Sequence, residues 1–365
     1  MHPGAPWLLL FLLALSARAE AESPGLFHPP LAGTSIDREL ESEVGRLLAA
    51  ANPIAGAVLV VHAPTGRILG WQEYRRDGAR APSLVTRALA PSASVFKIVT
   101  SAALLERAGV TPDERVCVHG GEHAIQREHL ERTRDPRALC RRFDAALGFS
   151  INAVFARLVT ERLMHKDLLE VAGAFGFDRP LDFERPAEVG SLRAPYDDLG
   201  FARAAIGARG TRLSVLGAAH LVYTIARGGL EPRMTLRLPA AGSQATVTPR
   251  RSLQAAVAAR LARMLEVTVH SGTSLGAFTD EHGDNYLGDI RVAGKTGTLQ
   301  PDPAGPMTSW FAGFAPSRRP EVVVSVLLQN GPVWRTKASA LARDVLRVYF
   351  KGRRGVTPPA ALAAH

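Results

Sequence analysis

The sequence predicts a mixed α/β protein in which one antiparallel sheet is assembled from the two ends of the chain. Strand-like patterns occur near residues 57–71 and again near 290–328, whereas the stretch from about 110 to 270 is mostly helical in pattern. We therefore expect helices on the sheet at both termini and a helical lobe facing it. Hydrophobic patterning alone establishes only the mixed α/β class.

The amino-terminal end carries the patterns of a helix and a hairpin. One helical face between residues 37 and 51 is apolar, at Leu40, Val44, Leu47 and Leu48. A β-branched run at 57–62 is followed by a Pro-Thr-Gly turn and a second run at 67–71, which predicts a hairpin.

The middle and the carboxy-terminal end of the chain also show patterns of helices and strands. Residues 94–108 are apolar at almost every position before Gly109, which predicts a central, buried helix. Further helices are predicted at 214–226, 253–269 and 337–350, and strands at 290–297, 309–314 and 322–328.

The first residues predict an export signal. An apolar run of about 10 residues precedes two small-x-small patterns at 17–19 and 19–21, whereas a membrane span needs roughly 20 residues. A permanent membrane anchor is therefore not favoured. We expect a signal peptide at 1–21, a Pro- and Gly-rich linker at 22–36, one domain at 37–351 and a flexible tail at 352–365. The helical lobe of the domain is expected at about 110–270. The export signal predicts a periplasmic or secreted location.

The chain is basic, with a net charge of +10 and a pI near 10.3. Its arginines are dispersed and no aromatic and basic platform appears, which argues against a nucleic-acid partner. An exported basic protein suits an anionic cell-wall polymer, peptide carboxylates or a membrane-proximal surface. Solubility alone is the alternative explanation.

Three short motifs follow one another along the chain: Ser94-Val95-Phe96-Lys97, Ser150-Ile151-Asn152 and Lys295-Thr296-Gly297-Thr298. Lysine is scarce, because only five of the 44 basic residues are lysines, and two of those five, Lys97 and Lys295, lie inside the motifs. Chance is therefore a poor explanation for the set.

The motifs and their order resemble the penicillin-binding proteins and serine β-lactamases, whose signature joins Ser-x-x-Lys, Ser-x-Asn and Lys-Thr-Gly. Segments at 55–69, 87–106, 205–229 and 308–316 also resemble transpeptidase domains, so the resemblance covers about 54–350. It implies a β-lactamase/transpeptidase-like fold, with the antiparallel sheet built from both chain ends and flanked by helices, together with a helical lobe.

The first motif points to nucleophilic catalysis. Residues three apart share a helix face, so Lys97 can reach back toward the Ser94 hydroxyl. Burial lowers a lysine pKa, which lets the neutral amine accept the serine proton. Alternatively, Ser94 only caps the helix and Lys97 lies on the surface, although Phe96 and Ile98 beside the lysine are apolar.

The other two motifs point to substrate binding and proton transfer. The resemblance implies that Ser150 relays a proton to the leaving amine and that Asn152 holds a peptide carbonyl. Gly297 would let a substrate backbone approach the strand edge, while Lys295 supplies positive potential and the Thr296 and Thr298 hydroxyls hold a carboxylate. By resemblance, the backbone N–H groups of Ser94 and Thr298 form the oxyanion hole. A helix cap at Ser150 and an ordinary strand end at 295–298 are the structural alternatives.

The two cysteines are candidates for a disulfide. In an oxidising compartment Cys117 and Cys140 can pair, which would close a loop of about 23 residues and stabilise the fold by roughly 3 kcal/mol. A metal site formed by Cys117, His119, His123 and His129 is the alternative, but the spacing matches no established zinc pattern. We expect no metal and no cofactor.

The resemblance implies a serine D,D-transpeptidase that acts on peptidoglycan stem peptides and is trapped covalently by β-lactam antibiotics. A D,D-carboxypeptidase or endopeptidase, a serine β-lactamase, and a non-catalytic β-lactam or cell-wall sensor are the alternatives. Glu184 and Glu188 lack the Leu-Asn that follows the water-activating glutamate of one lactamase class, and Asn152 departs from the Ser-x-Val of another. The stretch of 145 residues between Ser150 and Lys295 also resembles the larger penicillin-binding proteins.

Overall fold

The computed structural model describes residues 25–29, 33–121, 124–133, 135, 137–238, 249–300 and 305–351. The predicted signal peptide at 1–21 and tail at 352–365 lie outside these residues, as does part of the predicted linker at 22–36. Within the described ranges, no helix is both long and apolar enough to cross a membrane.

In chain order the described elements are β1 (Leu26–Phe27), α1 (Arg38–Ala51), β2 (Ala55–His62), β3 (Ile68–Arg75), β4 (Ala90–Pro91), α2 (Lys97–Glu106), β5 (Arg115–Val118), β6 (Leu139–Arg142), α3 (Phe143–Gly148), α4 (Asn152–Arg162), α5 (His165–Ala174), β7 (Gly190–Leu192), α6 (Asp198–Ala205), β8 (Thr211–Leu213), α7 (Val215–Ala226), α8 (Ala255–His270), α9 (Leu275–Phe278), β9 (Ala293–Leu299), β10 (Met307–Ala315), β11 (Val322–Asn330) and α10 (Ala338–Phe350). Single 3₁₀ turns occupy Ala93–Phe96 and Arg127–Leu130.

The main sheet joins the two ends of the chain. Its strand order is β1-β3-β2-β11-β10-β9, and every pair is antiparallel. The junction between the ends is the β2–β11 pair, in which Val60 lies opposite Val324. The predicted α/β class, with an antiparallel sheet built from both ends, is confirmed.

The sheet has an apolar core on each face, because side chains alternate along its strands. Leu59 and Trp310 belong to the core shared with α2, α7 and the helical lobe. Val58 and Phe311, their immediate neighbours in sequence, belong to the core beneath α1 and α10. The two faces therefore fix which residues of each strand point toward the lobe.

Helix α1 begins where the sequence provides a cap. The Asp37 carboxylate accepts hydrogen bonds from the backbone N–H groups of Glu39 and Leu40, both at 3.1 Å. Such a cap stabilises a helix by about 1 kcal/mol. The helix ends at Asn52, which adopts a left-handed conformation with φ of 45°.

The helical lobe contains short strands that the sequence did not predict. β4, β8 and β7 form one small sheet, and β5 pairs with β6. Leu26 and Phe27, inside the predicted linker, extend the main sheet by pairing with β3. Strands of two to four residues are too short to show an alternating pattern, which explains why patterning did not find them.

Cys117 and Cys140 lie opposite each other in the β5–β6 pair and are joined by a disulfide. The bond closes the loop that runs from residue 118 to residue 139. Part of this loop packs beside α4, because the Ala153 N–H donates to the Gly121 carbonyl at 3.0 Å. The disulfide therefore braces the segment next to the start of α4.

Candidate active site

Ser94 lies on the 3₁₀ turn Ala93–Phe96, which leads directly into α2. The turn starts with Ala93 at a φ of 47°, and its carbonyl fits against Gly207, where an added Cβ would lie 1.9 Å from that oxygen. Ser92, just before the turn, shares a hydrogen bond of 2.6 Å with the Thr211 hydroxyl. The half-buried Ser94 is thus held on a tightly packed turn.

Lys97, one turn after Ser94, is fully buried. Its Nζ donates to the Ser150 carbonyl at 2.7 Å, to Ser150 Oγ at 3.2 Å and to Asn152 Oδ1 at 2.6 Å. Among the described residues, no hydrogen bond joins Lys97 Nζ to Ser94 Oγ in this state. These three bonds use all the donors of an ammonium group.

Ser150 lies in the short connection between α3 and α4, with a φ of 59°. Lys295 Nζ donates to Ser150 Oγ at 3.1 Å and to the Thr296 carbonyl at 2.9 Å. Ser150 Oγ therefore accepts hydrogen bonds from two lysines that are 53 and 145 residues away in sequence. The fold brings all three motifs to one point.

The two lysines have depressed pKa values. Burial lowers the pKa of Lys97 well below its usual range, and the charge of Lys295 lowers it further. Burial lowers the pKa of Lys295 to about 7. Because two neighbouring buried cations repel each other, the site favours a neutral amine near neutral pH.

The third motif lies on β9, the last strand in the order of the main sheet. Lys295 and Gly297 pair with Ala312 and Trp310, which face the helical lobe. Thr296 and Thr298 alternate to the other side of the strand, where Thr298 is exposed. Both hydroxyls can therefore serve one ligand at the sheet edge.

Gly297 has a packing role that the sequence did not reveal. A Cβ at this position would lie 3.1 Å from Ala93 Cβ, 3.2 Å from Val95 Cγ2 and 3.3 Å from Trp310 Cβ. The absent side chain lets the turn that carries Ser94 lie directly against β9. From the sequence alone, Gly297 was explained only by the close approach of a substrate backbone at the open edge of the strand.

Thr273 joins the site without belonging to any motif. Its hydroxyl shares a hydrogen bond of 2.6 Å with the Thr296 hydroxyl, and its backbone N–H donates to the Gly148 carbonyl at 3.1 Å. Thr273 thus links β9 to the last residue of α3, just before the connection that carries Ser150. A single threonine after a helix gives no pattern that sequence reasoning could have used.

The two glutamates considered as water-activating bases are engaged elsewhere. Glu188 accepts from the Ala88 backbone N–H at 2.9 Å and pairs with Arg87 at 3.2 Å. Glu184 accepts a hydrogen bond from the Thr235 hydroxyl. In the part of the chain that the structure describes, neither carboxylate makes a hydrogen bond or ion pair with a residue of the three motifs.

The alternative metal site loses one of its four ligands to the disulfide. His119 pairs with Asp135 at 3.1 Å, and His129 Nδ1 accepts from the Gln126 N–H at 2.9 Å. His123 lies outside the described residues. Within the ranges described above, no group of His, Cys, Asp and Glu side chains could hold a metal ion.

The family model described as the penicillin-binding protein transpeptidase domain matches residues 56–348. The chain therefore belongs to the family of penicillin-binding protein transpeptidase domains, as its motifs suggested.

Curated relatives include the peptidoglycan D,D-transpeptidases PbpA of Mycolicibacterium smegmatis and Mycobacterium tuberculosis. Each is 28% identical, over 321 and 315 residues respectively, and each alignment covers 80% of this chain. The chain spans 61% of the length of either relative.

Two solved structures share the fold. The crystal structure of PBPA from M. tuberculosis has a TM-score of 0.67 at 22% identity and covers 87% of this chain and 81% of its own. A structure from Burkholderia ambifaria, described as a peptidoglycan glycosyltransferase, has a TM-score of 0.70 at 23% identity, with coverages of 90% and 100%. At these identities the similarity establishes the fold and nothing finer.

Proposed function

We propose that this chain is a serine D,D-transpeptidase that forms an acyl-enzyme on Ser94 with peptidoglycan stem peptides ending in D-alanine. The observation that carries the proposal is the convergence of Lys97 and Lys295 on Ser150 Oγ, beside the turn that holds Ser94. The curated relatives named peptidoglycan D,D-transpeptidase support the same reaction.

In the proposed acylation, Ser94 Oγ attacks the substrate carbonyl and Lys97 takes its proton. In its neutral form Lys97 keeps two N–H donors and has one lone pair, which can accept the Ser94 proton. Ser150 then passes a proton to the leaving amine. The backbone N–H groups of Ser94 and Thr298 stabilise the oxyanion, a contribution of about 3 kcal/mol for each donor.

The choice of attacking group separates the alternatives. A lactamase or carboxypeptidase delivers water to the acyl-enzyme, and a transpeptidase delivers an amine. Glu184 and Glu188, the carboxylates considered for water activation, are bound to Thr235 and Arg87. Their positions favour an amine acceptor, and therefore transpeptidation over β-lactam hydrolysis.

Export and β-lactam sensitivity are part of the proposal. The Cys117–Cys140 disulfide suits an oxidising compartment, as do the signal-like first residues. Neighbouring structures of M. tuberculosis penicillin-binding protein A are described as acyl-enzyme complexes with penicillin G and imipenem. We infer that β-lactams acylate Ser94 of this chain in the same way.

The test is intact-mass spectrometry of the protein with benzylpenicillin, followed over time. The matched pair of variants is Ser94→Ala and Ser101→Ala, because Ser101 is a buried serine on α2 whose hydroxyl has no hydrogen-bond partner among the described residues. We expect a lasting adduct on the parent and on Ser101→Ala, and none on Ser94→Ala. Rapid release of hydrolysed drug would favour a lactamase, and an absent adduct on the parent would overturn the proposal.

A further inference from the structure

A cleft of about 850 Å³ lies beside the Thr273 edge of the site. Thr273 and α9 form one wall, and the loop at 332–337 with the first turn of α10 forms the other. The site described so far does not use this cleft.

One wall of the cleft is hydrogen-bonded to β9 and the other to its neighbour, β10. On one side, the Thr273 hydroxyl is hydrogen-bonded to the Thr296 hydroxyl at 2.6 Å. On the other side, the Ala338 N–H donates to Ser309 Oγ at 3.1 Å, and Ser309 is the cross-strand partner of Thr298. Directly paired residues share a sheet face, so the cleft lies on the face toward which the Thr296 and Thr298 side chains point.

The lining of the cleft carries positive charge. Among the described residues, those that line it include Arg335 and Lys337 and no Asp or Glu. Both cationic side chains belong to exposed residues, and Lys337 Nζ lies 5.9 Å from the centre of the Trp334 ring. Two cations without a lining carboxylate, beside an aromatic ring, suit a ligand that bears a carboxylate.

The chemistry of the acyl-enzyme indicates which substrate would approach from this side of β9. If Thr296 and Thr298 hold the terminal carboxylate of the donor peptide, the leaving amine departs on their side of the ester. The acceptor amine replaces that leaving amine at the same carbonyl. Its nitrogen bonds to the acyl carbon, the bond to Ser94 Oγ breaks, and the proton lost by the amine returns to Ser94 Oγ.

We propose that this cleft is the acceptor subsite, which binds the carboxylate-bearing peptide that carries the attacking amine through Arg335 and Lys337. The inference rests on the proposed transpeptidase function and adds the location and charge preference of its second substrate.

The test measures how the acyl-enzyme partitions between aminolysis and hydrolysis. A small D-alanyl thioester serves as donor, glycylglycine as an acceptor whose free carboxylate lies one residue beyond the attacking amine, and glycylglycinamide as the same acceptor without that charge. In the double variant Arg335→Glu/Lys337→Glu, we expect the ratio of aminolysis to hydrolysis with glycylglycine to fall about tenfold or more, since it loses charge-assisted contacts. The ratio with glycylglycinamide should stay within about twofold.

Arg318→Glu/Arg319→Glu is the matched control, because these exposed arginines lie in the β10–β11 turn and the double change alters net charge equally. Benzylpenicillin acylation of Ser94 reports that each variant is folded. An unchanged glycylglycine ratio in Arg335→Glu/Lys337→Glu, or an equal fall in the control, would refute the acceptor subsite while penicillin acylation still supports the proposed function. A parent enzyme that is not acylated at Ser94 would refute the proposed function itself.

Discussion

Ser150 receives hydrogen bonds from two buried lysines, and this arrangement determines how the site responds to pH. Burial lowers the pKa of Lys97 most, and the positive charge of Lys295 lowers it further, which favours the neutral amine that the proposed mechanism needs. Lys295 therefore has an electrostatic effect on the proposed base in addition to any contact with substrate.

Replacement of Lys295 by methionine tests this coupling. The loss of a neighbouring cation raises the pKa of Lys97, so a larger fraction of Lys97 is protonated at a given pH. We expect the rising limb of the benzylpenicillin acylation rate to move to higher pH, whatever the change in maximal rate. The measurement is the second-order acylation rate from about pH 5 to about pH 10.

Lys166→Met is the control, because Lys166 is an exposed lysine on α5. It should leave the profile in place. A Lys295→Met profile that rises at the same pH as the parent would show that Lys295 does not set the protonation of the base.

The sequence indicated which residues meet at the site, but it did not indicate which hydrogen bonds join them. Ser94, Lys97, Ser150, Asn152 and Lys295 could be proposed because scarce residue types recur in a recognised order. The hydrogen bonds from Lys97 to Ser150 and Asn152 could not, because they depend on how α2 packs against the α3–α4 connection. Thr273 was missed for the same reason.

At the scale of elements, the site depends on contact between the turn Ala93–Phe96 and β9. Gly297 permits this contact, since Ala93 and Val95 occupy the space that a side chain would fill. Nothing in the periodicity of either segment predicts that they meet.

Gly297→Ala should therefore damage both stability and acylation. The added methyl group forces a shift of a few tenths of an ångström in the turn or strand, and overpacking of this kind costs about 1–3 kcal/mol. We expect a lower Tm and a slower acylation of Ser94, measured by thermal unfolding and intact-mass kinetics.

Gly173→Ala provides the comparison, because Gly173 lies within α5 and an added Cβ there meets nothing within 4 Å. In a helix this change should stabilise by about 0.5–1 kcal/mol. Equal effects of the two substitutions would mean that the turn is not packed against β9 as described.

At the scale of the whole molecule, α1 attaches to the sheet through a buried carboxyl group. Glu41 Oε2 accepts from the Trp71 N–H on β3 at 2.7 Å. Among the described side chains, Glu41 Oε1 and Gln72 Oε1 have no hydrogen-bond partner. Burial raises the pKa of Glu41 to about 8, although the bond from Trp71 opposes the shift.

This raised pKa makes stability depend on pH. The native state keeps the Glu41 proton up to about pH 8, whereas the unfolded chain loses it near the ordinary glutamate pKa of 4.5. The native state therefore binds more protons in this window, and its stability falls as pH rises from about 4.5 toward 8. The loss is on the order of a few kcal/mol.

Glu41→Gln should flatten this dependence, because an amide keeps an acceptor for the Trp71 N–H and does not ionise. The measurement is the free energy of unfolding in urea across the window, with Glu39→Gln, an exposed change on the same helix, as the reference. A parental slope that persists in Glu41→Gln would assign the pH dependence to another group.

The two-ended sheet was predictable because strand patterns stand at both ends of the chain with helices between them. The strand order was not predictable, because neither the β2 nor the β11 sequence indicates that the two strands pair. The short strands of the lobe and the β1 strand could not be predicted either, because two to four residues are too few to show an alternating hydrophobic pattern.

The β2–β11 junction also has a consequence for the order in which the site is assembled during synthesis. A chain that emerges from its amino terminus has Ser94, Lys97 and Ser150 long before it has Lys295 and the three strands that complete the sheet. Contacts between such distant segments form slowly. We therefore expect Ser94, the proposed nucleophile, to stay unreactive in the nascent chain until the last strands dock and bring Lys295 to the site.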